Sequence, residues 1–233
     1  MFELPTQLPS ELVPLSWLLG VWEGSGVIDY VLPSGRSVTR EFGHRLSFSH
    51  DGLPHLNYSS YTWLEADAAA NAGEDDAAAA ADTADAADTA VAADSTAAAL
   101  GRKTPLMTET GYWRLSRPQG AGDPGPGLLP AEGTHPFTTA SAVETLRNAD
   151  GGFDIDVTLV HPGGVAEIYL GQVKGPRIDL ATDAVMRTQG AKAYSAATRL
   201  YGLVDGHLLW AWDIAALGQS LRTHASGRLK RVE

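Results

Sequence analysis

The chain has 233 residues, no cysteine and a formal net charge of −11, which excludes a disulfide framework and a thiolate metal site. Eight acidic residues (Asp67, Glu74, Asp75, Asp76, Asp82, Asp85, Asp88 and Asp94) fall in a stretch without Lys or Arg, and removing them from −11 leaves −3 for everything else. The acidity belongs to an insert, and neither part carries the clustered basic face that phosphate binding requires, so no nucleic-acid partner is expected.

The opening Met1-Phe2-Glu3-Leu4-Pro5 lacks the basic start and apolar run of a signal peptide. No stretch approaches the ~20 apolar residues of a membrane span. The expectation is a cytoplasmic protein without membrane contact and, at this length, a single domain over residues 1–233. Residues 5–19 hold too many prolines for a long helix and predict a short turn that plugs one end of the body. Gly20 to Val31 then reads as a strand, with three glycines among β-formers, a pattern of sharp curvature or close backbone approach.

After the turn signal Pro33-Ser34-Gly35-Arg36, the residues Phe42, His44, Leu46, Phe48 and His50 alternate with polar ones. That predicts a half-buried strand, with Asp51-Gly52 as a hairpin turn back into a strand from His55 to Leu64. The Ala/Asp-rich tract 66–101 has no apolar stripe to hold it to a core and is expected to be disordered. Met107 to Leu115 resumes strand, and the Gly/Pro-rich stretch 118–136 reads as a loop. Strands are predicted over Ala142 to Leu146, Phe153 to Val160, Val165 to Val173, Arg177 to Val185, Ala191 to Val204 and His207 to Ile214, with a last one after Gly218.

About ten short strands with turn signals and no intervening helical pattern predict an all-β, up-and-down antiparallel barrel. Closure is favoured over a sandwich because it removes exposed edges, and a barrel of this size holds one small ligand. The first and last strands are then neighbours.

The ends carry a resemblance. Gly20-Val21-Trp22-Glu23-Gly24-Ser25-Gly26 fits a GxWxGxG signature, through Gly20, Trp22, Gly24 and Gly26. It is followed in order by Phe48-Ser49-His50-Asp51-Gly52, Glu109-Thr110-Gly111-Tyr112, His161-Pro162-Gly163-Gly164, Val204-Asp205-Gly206 and Gly218-Gln219-Ser220-Leu221-Arg222-Thr223-His224. This ordered set resembles the nitrobindin family, haem-binding barrels of the calycin type related to fatty-acid-binding proteins. The resemblance implies a ferric haem b with His224 as the axial iron ligand and Lys192 as a second haem contact. It also implies isomerisation of peroxynitrite to nitrate, binding of nitric oxide, and an assembly state in which a homodimer is open. Three stretches depart from the family pattern: Tyr30-Val31-Leu32-Pro33 replaces its Tyr-Pro-Thr-Ile, Met107 stands where a pocket-side histidine is common, and Ala225-Ser226-Gly227 follows His224 in place of its Leu-x-Ala.

Taken residue by residue, the same side chains have plainer readings. His224 is equally a solvated histidine between Arg222 and Arg228 on a polar terminal strand, Lys192 a strand end in water, and Trp22 a packing residue of the barrel floor. His44 and His50 read as hydrogen-bonded barrel residues; His55, His135, His161 and His207 lie in or next to turns and read as solvated. The alternative function is therefore a haem-free barrel that holds a fatty acid or another apolar small molecule.

Overall fold

The computed structural model describes residues 8–31, 35–64, 103–216 and 221–233. Within them ten antiparallel strands run β1 (Gly20–Val31), β2 (Ser37–Ser49), β3 (Leu56–Leu64), β4 (Thr104–Leu115), β5 (Phe153–His161), β6 (Val165–Lys174), β7 (Arg177–Arg187), β8 (Tyr194–Val204), β9 (His207–Ala216) and β10 (Arg222–Arg231). Each strand pairs with its neighbours in sequence, and β1 closes onto β10 from Trp22↔Arg231 to Ile28↔Ala225. The predicted all-β barrel and the contact between first and last strands are both present. The acidic tract 66–101, the turn residues Pro33-Ser34 and Gly218 to Ser220 lie outside the described residues.

The closure depends on side chains that are missing. A Cβ on Gly24 would collide with the carbonyl oxygen of Arg228, and one on Gly26 would meet the Ser226 carbonyl and stand 2.5 Å from the Phe42 ring. Gly20 takes a φ of +118°, which only glycine adopts without strain. Trp22, the remaining member of the signature, is buried at the barrel floor and donates its indole N–H to the Leu18 carbonyl at 2.7 Å. That carbonyl ends the predicted plug, a 3₁₀ helix over Ser10–Leu18 that buries Leu12, Leu15 and Leu18 under the barrel; Pro14 inside it denies a longer α-helix an amide donor.

Two expectations are corrected. Ala142 to Leu146 does not form a strand: Ala140–Glu144 is a short α-helix, α1, whose N-terminal amide of Ala142 is capped by the Thr139 hydroxyl at 3.2 Å. With only Val143 buried there, alternation was never strong, and the cap decides. His135 is not solvated. It pairs with Glu11 of the plug at 2.5 Å, and Arg117 joins the same buried cluster through Glu11 (2.5 Å) and Asp123 (2.6 Å). Hydrogen bonds from Arg117 hold the Asp123 carboxyl well below the usual carboxylate range. The Gly/Pro-rich stretch is thus fastened to the barrel end.

Replacing Gly26 with valine forces the β1–β10 seam or the Phe42 ring to move. The expected cost is about 2 kcal/mol, read as a lower urea midpoint with an unchanged slope.

Candidate functional site

Simple alternation along β10 would send His224 outward, because Ala225, Gly227 and Leu229 already occupy the inward positions. A β-bulge reverses this. Thr223 pairs with Asp213 and Ala225 with Trp212, so His224 is the extra residue, and it and Ala225 both line the interior. The imidazole meets Trp212 edge to face at 5.7 Å. Burial lowers its pKa; the Asp29 main chain opposes that, and the Arg222 charge adds to it. The ring is therefore neutral at pH 7, with a lone pair available to a metal.

His224 stands where two spaces join. An inner chamber of about 220 Å³ includes Phe42, His44, Met107, Trp210 and Trp212, and an outer groove of about 890 Å³ includes His161, Lys192, Tyr194 and Ile214. Leu106, Met107, Trp212 and His224 belong to both. Met107 sits on β4, four strands from β10 by way of β1 and six by way of β9, so it lies on the opposite wall. Lys192 is exposed at the groove rim between β7 and β8.

The chamber floor carries charge that the sequence reading missed. Arg199 grips Glu109 with both terminal nitrogens, at 2.6 and 2.8 Å, and its Nε donates to the Tyr169 hydroxyl at 3.1 Å. Tyr58 donates to Glu109 at 2.7 Å. Glu167, fully buried, accepts from Tyr169 (2.6 Å), from Tyr194 and from His161 Nε2 (2.6 Å). His161 is therefore part of this network and not solvated. Burial pushes the Glu109 carboxyl up, but the charge and hydrogen bonds of Arg199 outweigh it and hold the pKa at about 2. The available signal was parity: Arg199 falls in phase with Ala197 and Tyr201, and Glu167 with Tyr169, on the inward faces of β8 and β6.

The sequence matches the family described as "THAP4-like, heme-binding beta-barrel domain" over residues 11–231. The chain belongs to this family. Among its relatives, a protein named "Peroxynitrite isomerase" from Clavibacter michiganensis subsp. michiganensis (strain NCPPB 382) is 61% identical over 233 residues, all of both chains. One of the same name from Leifsonia xyli subsp. xyli (strain CTCB07) is 57% identical, again over all of both. The crystal structure of Rv2717c from M. tuberculosis superposes with a TM-score of 0.56 at 24% identity, covering 99% of this chain and 100% of that one, a likeness of fold.

The side chains present suit the group that gives the haem-binding barrel family its description. A neutral imidazole projects into a space walled by Leu106, Met107, Trp212 and Ile214, and Lys192 stands exposed at its rim. Arg199, which lines the chamber, is already paired with Glu109 through both terminal nitrogens. His44 is buried as expected, with Nε2 2.8 Å from Ser60 Oγ, whereas His50 is half-buried at the β2 turn, its Nδ1 accepting from Gly52 at 3.3 Å.

Arg199→Met leaves two buried carboxylates without their cation and is expected to cost about 3–5 kcal/mol, most of it recovered when Glu109→Leu is added. The Glu109 contribution has a pH signature: because the folded pKa lies below the ordinary value of 4.5, its stabilisation is complete above that value and is lost as pH falls through about 2. Denaturation across pH 2–7 should show that acid limb in the parent and a flatter one in Glu109→Gln.

Proposed function

We propose that the chain holds one ferric haem b, with His224 as axial ligand and Lys192 paired to a propionate, isomerises peroxynitrite to nitrate and binds nitric oxide. The single observation that supports this most is the bulged imidazole: a neutral nitrogen ligand turned into an apolar space in a chain 61% identical to a protein named for that reaction.

Ferric haem, when bound, would supply a Lewis-acidic iron for the peroxo oxygen of the substrate. The side chains have a limited task. His224 offers its lone pair without first losing a proton, since burial already keeps it neutral. Phe42, Trp210, Trp212 and Met107 exclude water, which strengthens electrostatic interactions inside the chamber. The reaction conserves every atom and the charge of its substrate, so no side chain has to give or take a proton. Arg199 remains held by Glu109, which prevents it from trapping the nitrate product as an ion pair.

Hemin added to the purified protein should give a shifted Soret band that His224→Ala abolishes, with hemin affinity falling on the order of 100-fold. Lys192→Ala should weaken hemin binding less and leave the band position unchanged. Peroxynitrite mixed with the hemin-loaded parent should decay to nitrate faster than with His224→Ala. An unshifted Soret band in the parent, or one indifferent to His224, would sink the reading.

A further inference from the structure

The chain has no cysteine, and its sulfur is confined to Met1, Met107 and Met186. Met1 lies outside the described residues, and the other two stand in opposite surroundings. Met186 sits near the end of β7 on the outer wall, opposite Ala166 of β6 and 68% exposed. Met107 is in phase with Glu109, Gly111 and Trp113, the inward row of β4, and packs half-buried against the core. A methionine that only fills a gap in the packing is enclosed on every side. Met107 is not: with Leu106, Trp212 and His224 it lines both the inner chamber and the outer groove. Those four residues frame the junction of the two spaces, so a small molecule at the junction meets this side chain.

The backbone there is fixed. Met107 pairs with Thr62 of β3, whose hydroxyl donates to the Met107 carbonyl at 3.2 Å. The unbranched side chain beyond it carries a polarisable thioether, the softest electron-pair donor among the residues of the junction. A peroxide oxygen is a soft acceptor, and in a chain without thiols the thioether is the group that takes it by a two-electron path.

We propose that Met107 is a modification site: its sulfur takes an oxygen atom from peroxynitrite at the junction and becomes methionine sulfoxide. The sulfur lone pair attacks the terminal peroxo oxygen, the S–O bond forms as the O–O bond breaks, and nitrite leaves with the bonding pair. Sulfur is oxidised by two electrons and the peroxide is reduced by two; one negative charge stands on each side, and no proton is required. The choice of oxidant rests on the reading given under Proposed function, whereas the site rests on the junction itself. This branch differs from isomerisation in its product, nitrite in place of nitrate. It stops after one event per chain unless a sulfoxide reductase restores the thioether.

The test treats the full-length protein, purified without hemin, with peroxynitrite at pH 7. Mass spectrometry follows the peptides that carry Met107 and Met186, with Met186 as the internal measure of bulk oxidation and a urea-unfolded sample as the measure of each peptide's intrinsic response. The expected result is a gain of one oxygen at Met107 to an extent within about tenfold of that at Met186, although Met186 is far more exposed. The parent should also release about one more equivalent of nitrite per chain than Met107→Leu. Oxidation at Met107 more than about tenfold below that at Met186 in the folded chain, or equal nitrite from the parent and Met107→Leu, overturns the site. Because the assay contains no haem, it decides the modification whether or not hemin binds; an unshifted Soret band bears on the haem reading alone.

Discussion

Because Gly24 and Gly26 carry no side chains, the backbone of β10 can come down onto β1 and complete the ring of strands, and the interior exists only because that ring closes. The seam does more than remove two edges. It brings the bulge at His224 against the end of β1, where Asp29 lies, and it clears room for Phe42 to lean over Gly26 as part of the chamber wall. Trp22 and the plug close the other end, so apolar surface from all ten strands faces one enclosed space. The GxWxGxG signature is therefore a closure device first, and its link to a cofactor is indirect: it builds the space that a cofactor would enter.

A buried ion network at the floor sets the character of that space. Taking Glu109, Glu167 and Arg199 out of water is costly, and only dense hydrogen bonding makes it tolerable. Here Glu109 is met by Arg199 and Tyr58, and Glu167 by Tyr169, Tyr194 and His161. The consequence for function is subtraction. An arginine held bidentately by one carboxylate attracts a second less strongly, and tyrosines that already donate cannot donate again, so the chamber offers few free polar contacts despite its many polar residues. What remains for a ligand is the soft sulfur of Met107 and aromatic faces.

The strands were legible because their two faces differ. Phe42, His44, Leu46 and Phe48 alternate with polar neighbours, and every strand with such a pattern is present within a few residues of its expected ends. Ala142 to Leu146 was misread because a five-residue segment with one buried side chain has too little pattern to set against a threonine cap. The site was harder. Alternation places Ala225 inward and so predicts His224 outward; only the pairing partner on β9 reveals the extra residue, and a bulge of this kind has no local sequence mark. The family resemblance supplied what periodicity could not. Arg199 and Glu167 were overlooked for the opposite reason: each is in phase with inward residues, but a charge at an inward position becomes meaningful only when its partner, four strands away around the barrel for Glu109 and Arg199, is known.

Two histidines of one chamber are kept neutral by the same cause, burial, yet they stand in unlike positions. His224 is half-buried at the junction with the groove, where a large planar group could reach its lone pair from outside. His44 lies deep, with one nitrogen held by Ser60. Neutrality serves both. An imidazolium at the junction could not ligate a metal, and one at the floor would add a cation beside Arg199 and hold any oxyanion that entered. With the function proposed above, the chamber would have to release one small anion about as readily as it admits another, which neutral rings favour over cationic ones. The depressed basicity of both rings is then a working condition of the site as well as a consequence of packing.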